Sequence, residues 1–362
     1  MVETMITTVL PTFKRPALLK RAIESVLAQS YKELIICVYD NASGDETEEV
    51  VKGYIALDTR VRYHKNPENI GGLANIKQGI NAVTTPYYSL LSDDDFLLPD
   101  FYEKAMNAFE ATPSANAVCS KTMVIDLINK KIQFRNQDWV HGYYEPSKEV
   151  ITKMYSSHFV TTGVVLTKKL RESIGVFDAS GSDLLYMTVA SANAPFVVID
   201  CYGAALTLHE QAYSMVAEGV SKESIPHQYS HLLLSVKNVM DMKISDEYKV
   251  HLMMLMVNFY HQIFDTKRLN HLLYKNQEVD ILSIMLLPSF INNRGLVAKV
   301  YGLTPLLFRP LLKALYNVIK QYRQKNVEKH QQDWAALSGD AYELLINIDT
   351  NILKIKSFLN NS

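Results

Sequence analysis

The N-terminal part of the chain alternates between short apolar runs and segments whose apolar residues recur at helical spacing. Thr4–Leu10 is short and rich in β-branched residues, which predicts a buried strand. From Pro16 onward the apolar spacing is helical, and proline suits the first turn of a helix. The same order recurs in the segments Leu34–Tyr39, Asp45–Ile55, Val61–His64, Leu73–Val83 and Tyr87–Leu91. This alternation predicts an α/β fold with a mainly parallel sheet and helices on both faces.

The later part of the chain changes character near Ser214. Before that point, three segments are strand-like: Ala117–Phe134, Phe159–Thr167 and Pro195–Leu208. A helical segment, Asp183–Ala192, lies between the second and the third. After it, helix-forming segments rich in Leu, Met, Tyr and Lys run to the end. Because 362 residues exceed the usual span of one hydrophobic core, we expect an α/β domain over residues 1–215 and a helical region over residues 216–362.

Composition and charge exclude some classes of protein. Apolar residues make up 48% and charged residues 21%, which is ordinary for a globular chain with a sizeable core. A net charge of -1 argues against a nucleic-acid binder that neutralises phosphates over its whole surface. Cys37, Cys119 and Cys201 are odd in number and far apart, so they indicate no disulfide framework and favour a reducing compartment.

The N-terminal residues and the hydropathy pattern bear on localisation. Met1–Leu10 lacks the basic start and cleavage site of a secretory signal, and no apolar run of about 18 residues predicts a membrane-spanning helix. The sequence therefore predicts a cytoplasmic protein, or one attached to a membrane from that side.

Four polar loops follow the first four predicted strands. They are Pro11–Arg15, Asp40–Asp45, Asn66–Gly72 and Ser92–Asp95. In open α/β sheets ligands bind beyond the carboxyl ends of the strands, so we expect these loops to form one site.

The acidic run Asp93, Asp94 and Asp95 is the strongest chemical signal among these loops. Adjacent carboxylates repel one another unless a cation or hydrogen-bond donors compensate. Mg²⁺ or Mn²⁺ binds carboxylate oxygens and commonly bridges them to substrate phosphates. The alternative is a solvated acidic turn that caps a helix starting at Pro99.

The order and spacing of the four loop motifs resemble the bacterial family 2 glycosyltransferases, which have the GT-A fold, a Rossmann-like α/β sheet. The resemblance covers about residues 4 to 215. It is carried by Pro11, Thr12, Phe13, Arg15, Asp40, Asn41, Ala42, Ser43, Asp45, Asn69, Gly71, Gly72, the acidic run and Pro99. One departure is Ser92, which stands where many relatives begin the acidic motif with an aspartate.

The resemblance implies a donor site for a nucleotide sugar. Pro11, Thr12 and Phe13 would line the nucleotide pocket, and Asp40 would accept a hydrogen bond from the base. The full donor-binding set that it implies is Pro11, Thr12, Phe13, Arg15, Asp40, Asn41, Asn69, Gly71, Asp93 and Asp94. It also implies that Asp94 or Asp95 reaches the metal, and Ser92 leaves open which of these carboxylates touches it directly.

A second resemblance concerns the base that an inverting transferase needs to activate an acceptor hydroxyl. Asp183 follows Gly175–Asp178 and Ser182 in a segment like the one where inverting members place this carboxylate. Asp183 is therefore predicted as the catalytic base. The alternatives are that Asp183 caps the helix that runs to Ala192, and that Asp178 is the base.

His209 resembles a late histidine of this family that faces the diphosphate and the metal. An imidazole can ligate a metal ion or bind a phosphate oxygen. The predicted metal ligands are therefore Asp94, Asp95 and His209, with Mn²⁺ or Mg²⁺ as the ion. The alternative for His209 is a structural role at the end of a strand.

A basic and apolar segment runs from Arg294 to Lys329, with Glu328 as its only acidic residue. A helix of this composition can lie at the surface of an anionic membrane. The alternative is a helix that packs on the α/β domain or on a second subunit.

The predicted function is an inverting glycosyltransferase that moves a sugar from a nucleotide-diphosphate sugar to an acceptor hydroxyl. The expected donor is a UDP-sugar, with thymidine or guanosine diphosphate as alternative carriers. The expected acceptor is a glycan or a lipid-linked acceptor in bacterial cell-surface polysaccharide assembly. One rival is a sugar nucleotidyltransferase, but Pro11–Lys14 is not the glycine-rich basic loop such enzymes carry. The other is a catalytically degenerate sugar-binding scaffold of a synthase complex.

Overall fold

Strands and helices alternate through the N-terminal half of the chain. A computed structural model describes residues 5–128, 131–175, 183–209, 239–242, 244–256 and 331–333. The strands are β1 Ile6–Thr12, β2 Leu34–Asp40, β3 Val61–Lys65, β4 Tyr87–Leu90, β5 Phe96–Leu97, β6 Ala117–Asp126, β7 Lys131–Arg135, β8 Gly142–Tyr144, β9 Val164–Thr167, β10 Phe196–Leu208 and β11 Gln331–Asp333. The helices are α1 Pro16–Leu27, α2 Thr47–Leu57, α3 Gly72–Asn81, α4 Phe101–Ala111, α5 Lys148–Ser156, α6 Lys168–Ile174 and α7 Asp183–Asn193. Residues 246–256 are also helical, and Thr161–Gly163 forms a 3-10 turn.

The described strands form one sheet in the order β11-β7-β6-β9-β4-β1-β2-β3. Strands β4, β1, β2 and β3 are parallel to one another, as the alternation of strand and helix predicts. Beyond β4 the sheet is mixed, because β9 is antiparallel to β4 and to β6. Strand β10 runs parallel to β6 and antiparallel to β5 and β8. The α/β class is confirmed, and the parallel part is the half that carries the four polar loops.

Helices cover both faces of this sheet, as predicted. Side chains of a strand point alternately to its two faces. Ile6 and Leu10 of β1 therefore join one buried cluster with α1, α2 and α4. Val9, which points the other way, joins a second cluster with α3, α6 and α7.

The structure differs from the sequence prediction at two places. The predicted strand Phe159–Thr167 begins instead as the 3-10 turn Thr161–Gly163, and only Val164–Thr167 is a strand. Gln331–Asp333, in the region predicted to be helical, adds to the edge of the sheet beside β7. Asp178 and the basic segment from Arg294 to Lys329 lie outside the described residues, so the predicted membrane contact stays a prediction. In the part that is described, no helix is long and apolar enough to cross a membrane.

Gly163 explains why the 3-10 turn can sit so close to β6. A Cβ atom at Gly163 would lie 2.5 Å from Cγ2 of Thr122 and 3.0 Å from Oγ of Ser120. We therefore expect Gly163→Ala to lower the free energy of unfolding by about 1–3 kcal/mol, as overpacking does, measured by urea denaturation. Gly53→Ala in α2 is the control, because its Cβ would meet nothing within 4 Å. Equal stability of the two variants would contradict this account of the turn.

Candidate active site

The carboxyl ends of β1 and β2 and the turn after β4 converge at one edge of the sheet. Thr12 is the last residue of β1 and Asp40 the last of β2, and the two strands are in register there. The acidic run connects β4 to β5, and β5 pairs with β10 through Phe96 and Ala205. His209 follows β10 directly. The parallel topology therefore gathers the motifs that the sequence analysis placed together.

Asp93 and Asp94 lie against a cation at the start of α1. The hydroxyl of Thr12 donates to Oδ2 of Asp93 at 2.8 Å, and Nη1 of Arg15 lies 3.2 Å from Oδ1 of Asp93. The same Nη1 donates to Oδ2 of Asp94 at 2.9 Å. Thr12, Arg15, Asp93 and Asp94, all predicted donor-site residues, are thus in direct contact.

Asp95 points toward the interior of the protein. Its Oδ1 accepts a hydrogen bond from the backbone N–H of Thr207 at 3.0 Å, and its Oδ2 accepts one from the hydroxyl of Thr162 at 3.2 Å. Asp95 is 5% exposed. The two hydrogen bonds fix the acidic run to β10 and to the 3-10 turn, and a metal contact of Asp95 stays a prediction.

Arg21 of α1 is a second cation beneath the acidic run. It donates to the backbone carbonyl of Asp94 and, at 3.2 Å, to the hydroxyl of Thr207, and its guanidinium stacks on the ring of Phe96. Arg21 is not among the site residues predicted from the sequence. The signal that could have indicated it is its place in α1, since a cation next to the apolar Ala22 lies on the buried side of the helix.

Burial and mutual repulsion govern the charges of this run. Burial, followed by the charge of Asp94, raises the pKa of Asp93 to about 6, although Arg15 and Thr12 oppose the shift. Burial and Asp94 also raise the pKa of Asp95 well above its usual range. Additional positive charge beside the run would therefore favour the ionised forms of Asp93 and Asp95.

Asp94 and His209 are the pair best placed for a divalent cation. Nε2 of His209 lies 3.3 Å from Oδ2 of Asp94. A carboxylate oxygen and an imidazole nitrogen suit Mn²⁺, which can take its other ligands from water and substrate phosphates. Within the described ranges no group of three or more His, Cys, Asp or Glu has the arrangement of a complete metal site. Asp94 and His209 alone therefore supply two side-chain groups of a kind that fits such an ion.

Asp40 lies at the other end of the site and holds its own loop. Its Oδ1 accepts from the backbone N–H and the hydroxyl of Ser43 at 2.9 and 2.5 Å, and its Oδ2 accepts from the hydroxyl of Tyr63 at 2.6 Å. Asp40 is 1% exposed. The predicted contact of Asp40 with a nucleobase stays a prediction, and Tyr63 is a neighbour that the sequence analysis did not select.

Asn41, next to Asp40, connects the loop after β2 to the loop after β3, which carries Asn69 and Gly71. The amide of Asn41 donates to Oδ1 of Asn69 at 2.8 Å, and the same oxygen accepts from the N–H of Gly71 at 2.9 Å. Gly71 has a φ of 88°, a left-handed conformation that glycine adopts without strain. Phe13 is 37% exposed and Pro11 is half-buried beside these loops, and Nζ of Lys14 lies over the Phe13 ring at 5.3 Å from its centroid.

Asp183 begins α7 and lies against the 3-10 turn. Its Oδ1 accepts from the backbone N–H of Thr161 at 3.1 Å and from the hydroxyl of Thr161 at 2.7 Å. Burial raises the pKa of Asp183, while these two hydrogen bonds and the charge of Arg135 oppose the shift. A carboxylate with a raised pKa accepts a proton more readily near neutral pH, as a general base should.

The N-terminal half of the chain is similar in sequence to known glycosyltransferases. Residues 7–173 match the family described as Glycosyl transferase family 2. A GalNAc(5)-diNAcBac-PP-undecaprenol beta-1,3-glucosyltransferase of Campylobacter jejuni is 36% identical over 91 residues, which are 25% of this chain and 29% of that protein. An uncharacterized glycosyltransferase of Methanocaldococcus jannaschii is 30% identical over 34% of this chain and 43% of its own length. The chain thus spans less than half of these relatives.

Solved structures show the fold. Staphylococcus aureus TarS 1-349 in complex with UDP-GlcNAc aligns with a TM-score of 0.57 and 17% identity, over 89% of this chain and 92% of that one. The mannosyltransferase PcManGT from Pyrobaculum calidifontis, in complex with GDP-Man and Mn²⁺, aligns with a TM-score of 0.51 and 14% identity, over 98% and 84%. Residues 7–173, which include the parallel part of the sheet and the acidic turn, match glycosyltransferase family 2, and the described structure has a GT-A-like fold.

Proposed function

We propose that this protein is an inverting, metal-dependent glycosyltransferase that moves a sugar from a nucleotide-diphosphate sugar to an acceptor hydroxyl. The observation that carries the proposal is the junction of Asp94 with Arg15 and His209 at the end of the parallel strands. Two cationic or metal-binding side chains meet one carboxylate there, beside the loops that follow β1 and β2. This combination suits a diphosphate better than a neutral ligand.

The donor half of the site has three tasks. Arg15 and His209 would bind phosphate oxygens, and Asp94 with His209 would hold Mn²⁺ or Mg²⁺. Such an ion, when bound, neutralises charge on the leaving diphosphate. The exposed ring of Phe13 would face the base, while Asp40, Asn41, Asn69 and Gly71 would shape the nucleotide pocket.

The acceptor half depends on Asp183. In the proposed reaction an acceptor oxygen forms a bond to the anomeric carbon, the bond from that carbon to the diphosphate breaks, and the acceptor proton moves to the Asp183 carboxylate. Both hydrogen bonds from Thr161 go to Oδ1, so Oδ2 is the oxygen we assign to the acceptor. Attack from the face opposite the diphosphate inverts the configuration.

The similar proteins suggest which classes of donor and acceptor to propose. We propose a UDP-sugar, supported by the UDP-GlcNAc complex of TarS, with a GDP-sugar as the alternative that the PcManGT complex represents. We propose a glycan or lipid-linked acceptor in cell-surface polysaccharide assembly, supported by the undecaprenol-linked substrate in the name of the C. jejuni relative. Action at the cytoplasmic face of a membrane belongs to the same proposal.

A thermal-shift screen of nucleotide sugars with Mn²⁺ or with EDTA tests this function. A ligand at 100 times its Kd stabilises the folded state by about 2.7 kcal/mol, so a UDP-sugar should raise Tm by several degrees only when Mn²⁺ is present. Release of UDP on adding an acceptor mixture then identifies transfer. No shift with any nucleotide sugar would favour the scaffold, and release of pyrophosphate from a nucleoside triphosphate and a sugar phosphate would favour the nucleotidyltransferase.

A further inference from the structure

Two consecutive threonines of the 3-10 turn contact carboxylates in both halves of the site. Thr161 donates to Asp183 through its N–H at 3.1 Å and its hydroxyl at 2.7 Å. Thr162 donates through its hydroxyl to Oδ2 of Asp95 at 3.2 Å. Both threonines are buried, at 4% and 2% exposure. One short segment therefore connects the carboxylate assigned as the base with the acidic run.

The turn itself is fixed by the protein around it. The hydroxyl of Ser120 donates to the carbonyl of Gly163 at 2.9 Å, and a Cβ at Gly163 would collide with Thr122. On the other side, the amide of Asn136 donates to the carbonyls of Ser157 and His158 at 3.2 and 3.0 Å. These contacts on both sides of the 3-10 turn restrict its backbone, so the hydroxyl groups of Thr161 and Thr162 stay in place.

From this geometry, and resting on the proposed function, we propose that Thr161 and Thr162 are positioning residues that set the base and the acidic run in one fixed relation. Thr161 orients Oδ1 of Asp183 so that Oδ2 faces the acceptor, and its donors favour the ionised carboxylate. Thr162 orients Asp95, which has no proposed contact with the acceptor substrate. The two residues should therefore affect different kinetic constants.

The groups that act on Asp183 besides Thr161 are few in the described part of the chain. Arg135 of β7 faces it with a positive charge that favours the ionised form. His158 lies 3.4 Å from Arg135, and burial with the charge of Arg135 lowers the pKa of His158 to about 4, so this imidazole is neutral near pH 7. Neither group contacts the hydroxyl of Thr161 in the hydrogen bonds above, so a change at that hydroxyl can be measured separately.

The direct test is an NMR titration of the Asp183 carboxyl carbon in the full chain, with Asp183→Asn identifying its signal. Thr161→Val keeps the N–H donor and removes the hydroxyl, and should raise the apparent pKa of Asp183 by about one unit, a tenfold change in its protonation constant. Thr161→Ser should restore the wild-type value. Thr188→Val is the matched control, because the buried Thr188 hydroxyl donates to Leu184 within α7, and it should leave the titration unchanged.

Kinetics supply the second readout. The acidic limb of the pH profile of kcat should move to higher pH by about the same unit in Thr161→Val and return in Thr161→Ser. Thr162→Val should raise the KM of the donor and leave that limb in place. If Thr161→Val does not fold by circular dichroism, Thr161→Ala removes the same hydroxyl and takes its place.

The outcomes separate the two proposals. If the apparent pKa of Asp183 in Thr161→Val equals the wild-type value, the positioning role is overturned. The same holds if Thr161→Ser shifts this pKa as much as Thr161→Val does, and neither result depends on the activity. A wild-type protein that transfers no sugar would overturn the proposed function, while the NMR titration still decides how Thr161 acts on Asp183.

Discussion

Replacing Asp183 with asparagine is expected to lower turnover by about 10²- to 10⁴-fold, the usual contribution of a general base, while donor affinity stays at the wild-type value. Asparagine keeps the size of the side chain and an oxygen that can accept from Thr161, but it cannot take a proton from the acceptor. Initial rates with saturating donor, together with calorimetric titration of the donor, measure the two quantities separately.

The control for this prediction is Asp200→Asn, which changes an exposed aspartate of β10 that is paired with Lys121 at 2.6 Å. It should alter neither quantity. A fall in donor affinity as large as the fall in turnover would move Asp183 into the nucleotide site. Transfer that survives within a few-fold would leave Asp183 as a helix cap and make Asp178 the next candidate. A product that retains the donor's anomeric configuration would overturn the single displacement itself.

Replacing Asp94 with alanine is expected to weaken Mn²⁺-dependent binding of the nucleoside diphosphate by at least about 100-fold, since even the residues that support metal ligands are worth 10- to 100-fold. Asp94 is the one described carboxylate that contacts both Arg15 and His209, at 2.9 and 3.3 Å. Calorimetric titration of UDP with Mn²⁺ and with EDTA measures the difference that the metal makes.

Asp58→Ala is a suitable control for this second prediction, because Asp58 pairs with Arg60 at 2.8 Å before β3 and belongs to no part of the site. The binding curve of Asp94→Ala should resemble the wild-type curve in EDTA, since both lack the metal. An unchanged gain from Mn²⁺ in Asp94→Ala would remove Asp94 from the metal site and turn attention to Asp95.

The sequence predicts the parallel half of the fold well for a physical reason. Apolar spacing reports directly which residues are buried, so β1 to β4 and the helices between them follow from it within a few residues. The loops at their carboxyl ends follow from the same topology. Thr12, Arg15, Asp93 and Asp94 could therefore be grouped from sequence, whereas His209 is added only through the resemblance to the family. The structure brings these residues into contact.

The supporting residues could not be predicted in this way, because their partners are distant along the chain. Thr162 and Thr207 bind Asp95 from 67 and 112 residues away. A threonine pair before a valine run has the composition of a strand, so the sequence predicts a strand where the structure has the 3-10 turn. The deciding feature is the close packing of Gly163 on β6, which local periodicity does not contain.

The pairing of β5 with β10 has a consequence for the thermodynamics of donor binding. The acidic turn is anchored at both ends, by β4 before it and by β5 after it, and Asp95 is held by Thr207 of β10. Ordering a backbone residue costs about 1–2 kcal/mol of conformational entropy. The acidic turn loses this conformational entropy when the protein folds, not when the donor binds. The donor therefore binds carboxylates that are already ordered, and less of its interaction free energy is spent on ordering the protein.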